Sequence, residues 1–436
     1  MLLTAASVAV AAALICFSLR RVLLLAAALL PGRPAGIGRV DLPSVTVVVP
    51  TRNEGPHVES LLEALDRLDY PAESIFVVLV NDGSSDDTGR RLARWAADRP
   101  RAQCLDLPAH AGKAGALNAG IAIAPKAELL AVCDADLRPR PDWLLRLGVS
   151  FVDESVGAAT GFLAPRNADA GLVARYATVE TWTHQLVTSA GKDRLDLNPP
   201  MLGASIYRRT ALEQLGGFRP GAPGEDVQAT VALTREGWRT RFVPQAIVEN
   251  GVVDSLGDYW HQHIRWARNV FAARSSPRKP VFRERRAPGG ATLLLRRAEV
   301  WAASAGYVDR LASVGAVALA VAGGLPLWLP AAYLGVAAGE AAVAVMKAGA
   351  AARLHHFLLA AATFFVVDVV ASTAATAAHL SGRPRTWRGT RRAERRQARH
   401  AAGSQLRVLL TGSKLDCARN QSRRRSHASR VDARDR

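Results

Sequence analysis

An α/β domain with a mostly parallel sheet, set between apolar helices near both ends of the chain, is the fold class the sequence predicts. Three observations lead there. From Val45 to Ala273, short β-branched apolar runs alternate with longer amphipathic stretches, the pattern of parallel strands covered by helices. Long uncharged runs lie outside that region on both sides. Acidic residues gather where two of the strand runs stop.

Taken in order, Leu2 to Leu19 is uncharged, is followed by Arg20 and Arg21, and leads into a second apolar run, Val22 to Leu30. This is long enough to span a bilayer core. A cleaved signal peptide has its basic residues ahead of the apolar region and a small-residue cleavage site behind it. Here the arginines follow, so residues 1–31 read as a retained anchor. Positive charge on that flank puts the next segment in the cytoplasm.

Residues 44–275 form the soluble domain. The strand candidates are Val45–Val49, Ile75–Val80, Leu129–Cys133 and Val156–Gly161. Helical periodicity fits Pro56–Leu68, Asp87–Ala97, Lys113–Ile123 and Pro141–Val152, the second with Ser84, Ser85 and Asp86 as cap candidates. Residues 276–310 read as an interfacial linker. Within 311–380, Glu340 is the only charge between Leu311 and Val345, Gly323-Gly324-Leu325-Pro326 splits that run, and Asp368 alone interrupts Leu354–Leu380. About three membrane helices are expected there. An odd number would carry the tail, residues 381–436, out of the cytoplasm, against the positive-inside tendency.

The formal charge is +18, yet residues 383–436 hold 17 Lys/Arg against 4 Asp/Glu, so the basic character belongs to a tail expected to be disordered. Trp387 is that segment's only aromatic residue. A nucleic-acid surface would need the charge on a folded face with interleaved aromatics, and no nucleic-acid partner is expected. Cys16, Cys104, Cys133 and Cys417 make no CxxC pair, which argues against a disulfide framework or structural zinc.

In open parallel sheets, ligands sit beyond the carboxyl ends of the strands. The second strand candidate ends in Asn81-Asp82-Gly83-Ser84-Ser85-Asp86-Asp87, a composition that a turn and helix cap would also use. Leu129–Cys133 ends in Asp134-Ala135-Asp136. Two carboxylates this close repel each other unless a cation lies between them, and hard oxygen ligands suit Mg²⁺ or Mn²⁺ holding a diphosphate. The first strand runs into Pro50-Thr51-Arg52-Asn53-Glu54 with no GxGxxG, which argues against a dinucleotide-binding oxidoreductase. His110 to Asn118 is a glycine-containing helix entry with Lys113, suited to an anion or to a plain loop and cap. Glu225-Asp226 opens a helix, where acidic residues are also ordinary. Gln262, Arg265 and Trp266 share one side of a helix, as they would on an amphipathic helix lying on a membrane.

The order of these pieces resembles the family 2 inverting glycosyltransferases with the GT-A fold: a strand-end Asp, a Lys-Gly-Asn segment, Asp-x-Asp, Glu-Asp, then Gln-x-x-Arg-Trp between flanking membrane helices. The resemblance covers residues 44–275. It is closest to membrane synthases of the cellulose, chitin, hyaluronan and poly-N-acetylglucosamine group, and ceramide glucosyltransferase-like enzymes share the last motif. Gly382-Arg383-Pro384-Arg385-Thr386-Trp387-Arg388-Gly389 is similar to the ending of bacterial members. The resemblance implies a Rossmann-like, mostly parallel sheet, a UDP-sugar donor, a Mg²⁺ or Mn²⁺ cofactor, and a saccharide or lipid-linked acceptor. It also implies a multi-pass cell-membrane location with a cytoplasmic catalytic domain, and leaves room for an accessory export subunit.

Carried onto these positions, it makes Asp82 a contact to the nucleotide base or ribose, Asp134 a nucleotide contact beside the metal, Asp136 the principal metal ligand and Asp226 the general base next to Glu225. Lys113 would lie near the diphosphate, while Gln262, Arg265 and Trp266 would frame the acceptor and leaving group. Thr51 and Glu54 complete the donor candidates. Gly203 belongs to a stretch, Met201 to Ser205, that resembles an acceptor-lining segment, with Leu202 where an aromatic residue is usual. Gln228 and His263-Ile264 also depart from the family pattern. The function these features imply is polysaccharide synthesis from a nucleotide sugar, with single transfer to a glycolipid as the alternative. A non-enzymatic membrane component would not need a metal site together with a base.

Overall fold

The computed structural model describes residues 2–32, 42–221, 224–274 and 308–381, with five positions between 294 and 302. The basic tail from residue 382 onward and most of the 276–310 linker lie outside the described residues. Every described residue belongs to the unit Met1–Thr390.

Helix α1 (Leu2–Leu29) precedes the sheet domain. The domain then runs β1 (Val45–Thr51), α2 (Glu59–Asp66), β2 (Ile75–Asn81), α3 (Thr88–Ala97), β3 (Ala102–Asp106), α4 (Gly112–Ile123), β4 (Leu129–Cys133), β5 (Arg138–Pro139) and α5 (Trp143–Gly148). It continues through β6 (Val156–Pro165), α6 (Leu172–Trp182), α7 (Ala190–Arg194), β7 (Ala204–Arg208), α8 (Arg209–Leu215), α9 (Glu225–Arg235), β8 (Arg239–Asn250) and α10 (Leu256–Arg274). Three helices follow: α11 (Val308–Val321), α12 (Trp328–Lys347) and α13 (Leu354–Leu380). A π-helical stretch, Thr183–Ser189, joins α6 to α7.

The eight strands form one sheet in the order β3-β2-β1-β4-β7-β6-β8-β5. The first four are parallel; β7 runs antiparallel to both β4 and β6. Burial on both faces explains the near-continuous apolar runs of β1, β2 and β4. In β1, Val45, Val47 and Val49 pack with Leu61, Leu79 and Trp143. Val48 points the other way, toward Val78, Val80, Leu117 and Trp238. Helix α4 comes close enough to this second face that a Cβ on Gly120 would lie 2.7 Å from both Val48 and Val80.

The strands and helices expected over residues 45–161 all form. The sheet edge made by β3, and the strands β7 and β8, were not anticipated.

Among the described residues, three helices are long and apolar enough to cross a membrane: Leu3–Leu29, Trp328–Lys347 and Ala351–Ala371. Among the described residues, helix α11, the first of the three apolar segments expected after the domain, runs for 14 residues, which at about 1.5 Å per residue is short of an approximately 30 Å hydrocarbon core. The arginine pair does not end α1 but lies within it. Arg20 lies 2.6 Å from Glu299, and Arg21 lies 2.8 Å from Asp309 and also meets Glu340. Charges within so apolar a helix are costly unless paired, and these are paired with one another.

Candidate active site

The antiparallel strand β7 decides what stands at the carboxyl edge of the parallel strands. Because Cys133 pairs with Ala204, the residue before β7, Gly203, falls beside the residue after β4, Asp134. The Asp134 N–H donates to the Gly203 carbonyl over 2.9 Å. A Cβ at Gly203 would sit 2.3 Å from Asp134 Oδ2, so the missing side chain leaves the space this carboxylate occupies. Asp134 and Asp136 are half-buried while Ala135 and Leu137 between and after them are buried, so the two carboxylates both keep access to solvent at the sheet edge.

Lys113, on the first turn of α4, reaches this cluster. Its Nζ lies 2.5 Å from Asp134 Oδ1 and also contacts Glu225, the first residue of α9. Asp226 is next in that helix, and its Oδ1 accepts the Val227 N–H over 2.8 Å. The first turn of α9 is tied to the loop before β7: Thr230 Oγ1 donates to the Asp226 carbonyl and accepts the Met201 N–H. One cation is thus shared among several carboxylates, and their ionisation reflects it. Burial opposes the charge on Lys113, yet Asp134, Glu225 and Asp226 together raise its pKa well above the ordinary lysine value. Asp134 is raised by burial, with Asp136 and Glu225 adding to the shift and Lys113 opposing it. Asp226 is pushed up to about 7, first by burial and then by Glu225. A carboxylate in that range can accept a proton near neutral pH.

Asp82, just after β2, is buried. One oxygen faces His110 Nδ1 at 2.7 Å, and the other accepts the Ala111 N–H at 2.6 Å. It therefore fixes the loop leading into Lys113. Thr51 closes β1, and its carbonyl accepts the Asp82 N–H over 2.9 Å. The Glu54 and Gly55 N–H groups both donate to Thr88 Oγ1, at 2.9 and 2.7 Å, which ties this loop to the start of α3. Thr51, Asp82, Lys113, Asp134, Asp136, Gly203, Glu225 and Asp226 thus lie along one sheet edge, with Glu54 in the loop after β1.

Gln262, Arg265 and Trp266 lie on α10. That helix is capped by Ser255, whose Oγ accepts the Asp258 N–H and donates to the Asp258 carboxylate. It packs against α9, α6 and α13. Trp266 is 38% exposed. These three side chains are on an element that packs against the Glu225–Asp226 helix.

Asn118, the last residue of the Lys-Gly-Asn segment, serves the fold. Its amide pairs with both backbone groups of Phe218, at 2.6 and 2.9 Å, and so fastens α4 to the loop before α9. His110 and Thr230 are site-supporting residues that the sequence reading did not single out. Their partners are about 30 positions away in sequence, and neither makes a spacing pattern.

The donor set fits a hard divalent cation. Asp134 and Asp136 supply oxygen ligands of the kind Mg²⁺ and Mn²⁺ take, a Cβ at Gly203 would intrude on Asp134, and the cluster already gathers a cation in Lys113.

A sheet with this strand order, an acidic carboxyl edge and a paired-carboxylate turn define a GT-A nucleotide-sugar transferase fold. The chain belongs to glycosyltransferase-like family 2, whose model matches residues 43–269. It is 30% identical over 233 residues to a probable glycosyltransferase, YdaM, of Bacillus subtilis, covering 52% of this chain and 55% of that one. It is 33% identical over 240 residues to an N-acetylglucosaminyltransferase of Mesorhizobium japonicum, covering 52% and 56%. The chain therefore spans about half the length of the curated relatives it matches. Among solved structures it is similar to the mannosyltransferase PcManGT of Pyrobaculum calidifontis in complex with GDP-Man and Mn²⁺, at 25% identity and a TM-score of 0.55, covering 84% of this chain and 99% of that one.

Proposed function

We propose that this chain is a membrane-anchored, metal-dependent inverting glycosyltransferase that moves a sugar from a UDP-sugar to a growing saccharide. The observation that carries the reading is the sheet-edge cluster in which Lys113 joins Asp134 to Glu225, next to Asp226. Family membership, and relatives described as N-acetylglucosaminyltransferases, make N-acetylglucosamine the first sugar to test.

In this reading Asp226 takes the proton of the acceptor hydroxyl as it attacks the anomeric carbon from the face opposite the leaving group. The elevated pKa of Asp226 suits that task near neutral pH. Asp136, with Asp134, would hold Mg²⁺ or Mn²⁺, whose chemistry is to neutralise charge developing on the departing diphosphate. Lys113 faces the same anion from the start of α4, and Asp82 with Thr51 and Glu54 meets the nucleoside. Gln262, Arg265 and Trp266 approach from the acceptor side, where a flat ring can stack on a sugar.

The membrane reading has α1 as anchor and α12 and α13 as a returning pair. With two crossings after the domain, the tail comes back to the domain's own side, in keeping with its positive charge. The small number of candidate spans among the described residues favours a second reading, in which one sugar passes to a lipid acceptor and no polymer has to be exported. An export subunit fits the first reading alone.

Membranes containing the chain, incubated with radiolabelled UDP-N-acetylglucosamine, UDP-glucose and GDP-mannose in turn, test this directly. The expected product is a polymer labelled from a UDP-sugar. A lipid bearing one added sugar would select the second reading, and no transfer from any donor would overturn both.

A further inference from the structure

Within the Gln262–Trp266 motif, His263 is the buried position, 1% exposed. Its two ring nitrogens both face acceptors. Nδ1 lies 2.9 Å from the Tyr259 carbonyl oxygen, and Nε2 lies 2.9 Å from each oxygen of Glu180 on α6. A carbonyl and an ionised carboxylate can only accept, so both ring nitrogens are placed to donate, the arrangement an imidazolium would satisfy. It stacks on Tyr259 at 3.8 Å between centroids and lies 5.1 Å from the Trp266 ring. The Tyr259 hydroxyl donates to Asp368 on α13 over 3.3 Å, and Asp368 also meets Arg310 on α11. Tyr176 on α6 packs on the other ring contact of Tyr259 at 5.6 Å.

Glu180, His263 and Asp368 offer three donor atoms within 4.8 Å of one another, a spacing a metal could use. Each group already faces a partner without one: Glu180 faces His263 Nε2, Asp368 faces Arg310, and His263 Nδ1 faces the Tyr259 carbonyl. Glu180 is held below the usual carboxylate range, burial being opposed chiefly by His263.

We propose that His263 is a positioning residue for the acceptor side of the site: by clamping α10 to Glu180 on α6, and through Tyr259 to Asp368 on α13, it sets the orientation in which Gln262, Arg265 and Trp266 are presented. This rests on the reading of the chain as a glycosyltransferase with Trp266 toward the acceptor. The clamp joins the motif helix to a candidate membrane helix, so the acceptor elements are held from the membrane side while the donor carboxylates are held by the sheet.

The test uses the full chain in detergent micelles, with UDP-N-acetylglucosamine and MnCl₂ as donor probe and chitotetraose as acceptor probe. His263→Phe keeps the stacked ring and removes both donors. Glu180→Gln keeps the shape and removes the charge, and His263→Gln restores one donor where Nε2 lies. His263→Phe and Glu180→Gln are expected to raise the chitotetraose KM about tenfold or more, with the donor KM changed by less than about twofold. His263→Gln should recover part of the loss. An acceptor KM unmoved in His263→Phe, or donor and acceptor KM rising together, would overturn the proposal.

Two readouts do not depend on the sugar. Spectra of ¹⁵N-histidine-labelled chain should show one histidine with both nitrogens protonated at neutral pH, lost in His263→Gln; a neutral or metal-bound ring at that position would overturn the clamp. Amides of residues 256–266 should exchange about tenfold faster in His263→Phe while those of 129–136 do not, and unchanged protection would overturn it. A wild-type chain that fails to use the probes bears on the proposed substrate, and these last two measurements still decide the clamp.

Discussion

The Lys113 ammonium lies 2.5 Å from Asp134 Oδ1 while also contacting Glu225, so one cation ties the end of β4 to the helix that carries Asp226. Lys113→Met would leave these carboxylates facing one another. Because the cluster keeps some access to solvent, the expected loss is about 1–3 kcal/mol, below that of a fully buried pair. The loss should shrink as pH falls and the carboxylates protonate. Thermal melts of the two proteins at about pH 8 and pH 5 check this, and an equal gap at both would dissociate Lys113 from the cluster's charge.

Asp226 carries a second, opposite pH signature. Its folded pKa, raised from 3.8 to about 7, means that the folded state binds the proton more tightly than the unfolded chain does. The stability this gives is complete below the unfolded value and is lost as pH rises through about 7. Asp226→Asn, which carries no charge to lose, should match wild type near pH 4 and melt higher above pH 7. The same variant should still bind UDP with Mn²⁺ but transfer sugar about a hundredfold more slowly or worse. In the wild type, transfer should rise along an acid limb near pH 7. A variant that is both unstable and active would assign the proton to another group.

How far the sequence revealed this site depended on how local each signal was. The parallel strands were legible because burial on both faces demands runs such as Val45–Val49 and Leu129–Cys133. Asp82 and Asp134-Ala135-Asp136 were legible because they follow those runs directly. Strand β3 has only half-buried and exposed residues over Ala102–Asp106 and gives no such run, and β8 is interrupted by Pro244 and Gln245. The role of Gly203 depended on β7 pairing antiparallel with β4, a contact across some 70 residues that no short motif encodes. Glu180, the partner of His263, lies 83 residues away in a helix without any motif. The arginine pair of α1 was read as a flank, since its partners Glu299, Asp309 and Glu340 are nearly 300 residues distant or more.

Removing the proposed metal ligand should separate binding from folding. Asp136→Asn is expected to abolish transfer and to weaken Mn²⁺ binding while the melting temperature without metal changes little, because Asp136 is half-exposed at a turn. Titration of Mn²⁺ followed by its electron paramagnetic resonance signal provides the readout. Full turnover in excess chelator would remove the metal from the mechanism.

Gly203→Ala probes the same site from the other side of the sheet edge. The new methyl would be placed 2.3 Å from Asp134 Oδ2, so the carboxylate must move away from its place beside Lys113. Overpacking of this kind costs about 1–3 kcal/mol, which the fold should survive. Affinity for UDP with Mn²⁺, measured by calorimetry, should fall about tenfold or more, since displacements of about 1 Å are enough to spoil such sites. Unchanged affinity would show that Asp134 does not touch the donor.

The membrane arrangement makes a prediction about both the domain and the tail. If nucleotide sugars reach the site from the cytoplasm, the sheet domain is expected on that side. Two crossings after it, by α12 and α13, would return the tail to the same side, whereas a third crossing would leave its 17 basic residues outside. Arg90, exposed on α3, and the native Cys417 can report the two locations separately. In a chain whose other cysteines are replaced, a membrane-impermeant maleimide applied to intact cells should label neither Arg90→Cys nor Cys417, and should label both once the membrane is opened. Labelling of Cys417 alone from outside would mean that a third segment crosses, with α11 as the first candidate. Labelling at position 90 from outside would invert the topology and end the nucleotide-sugar reading with it.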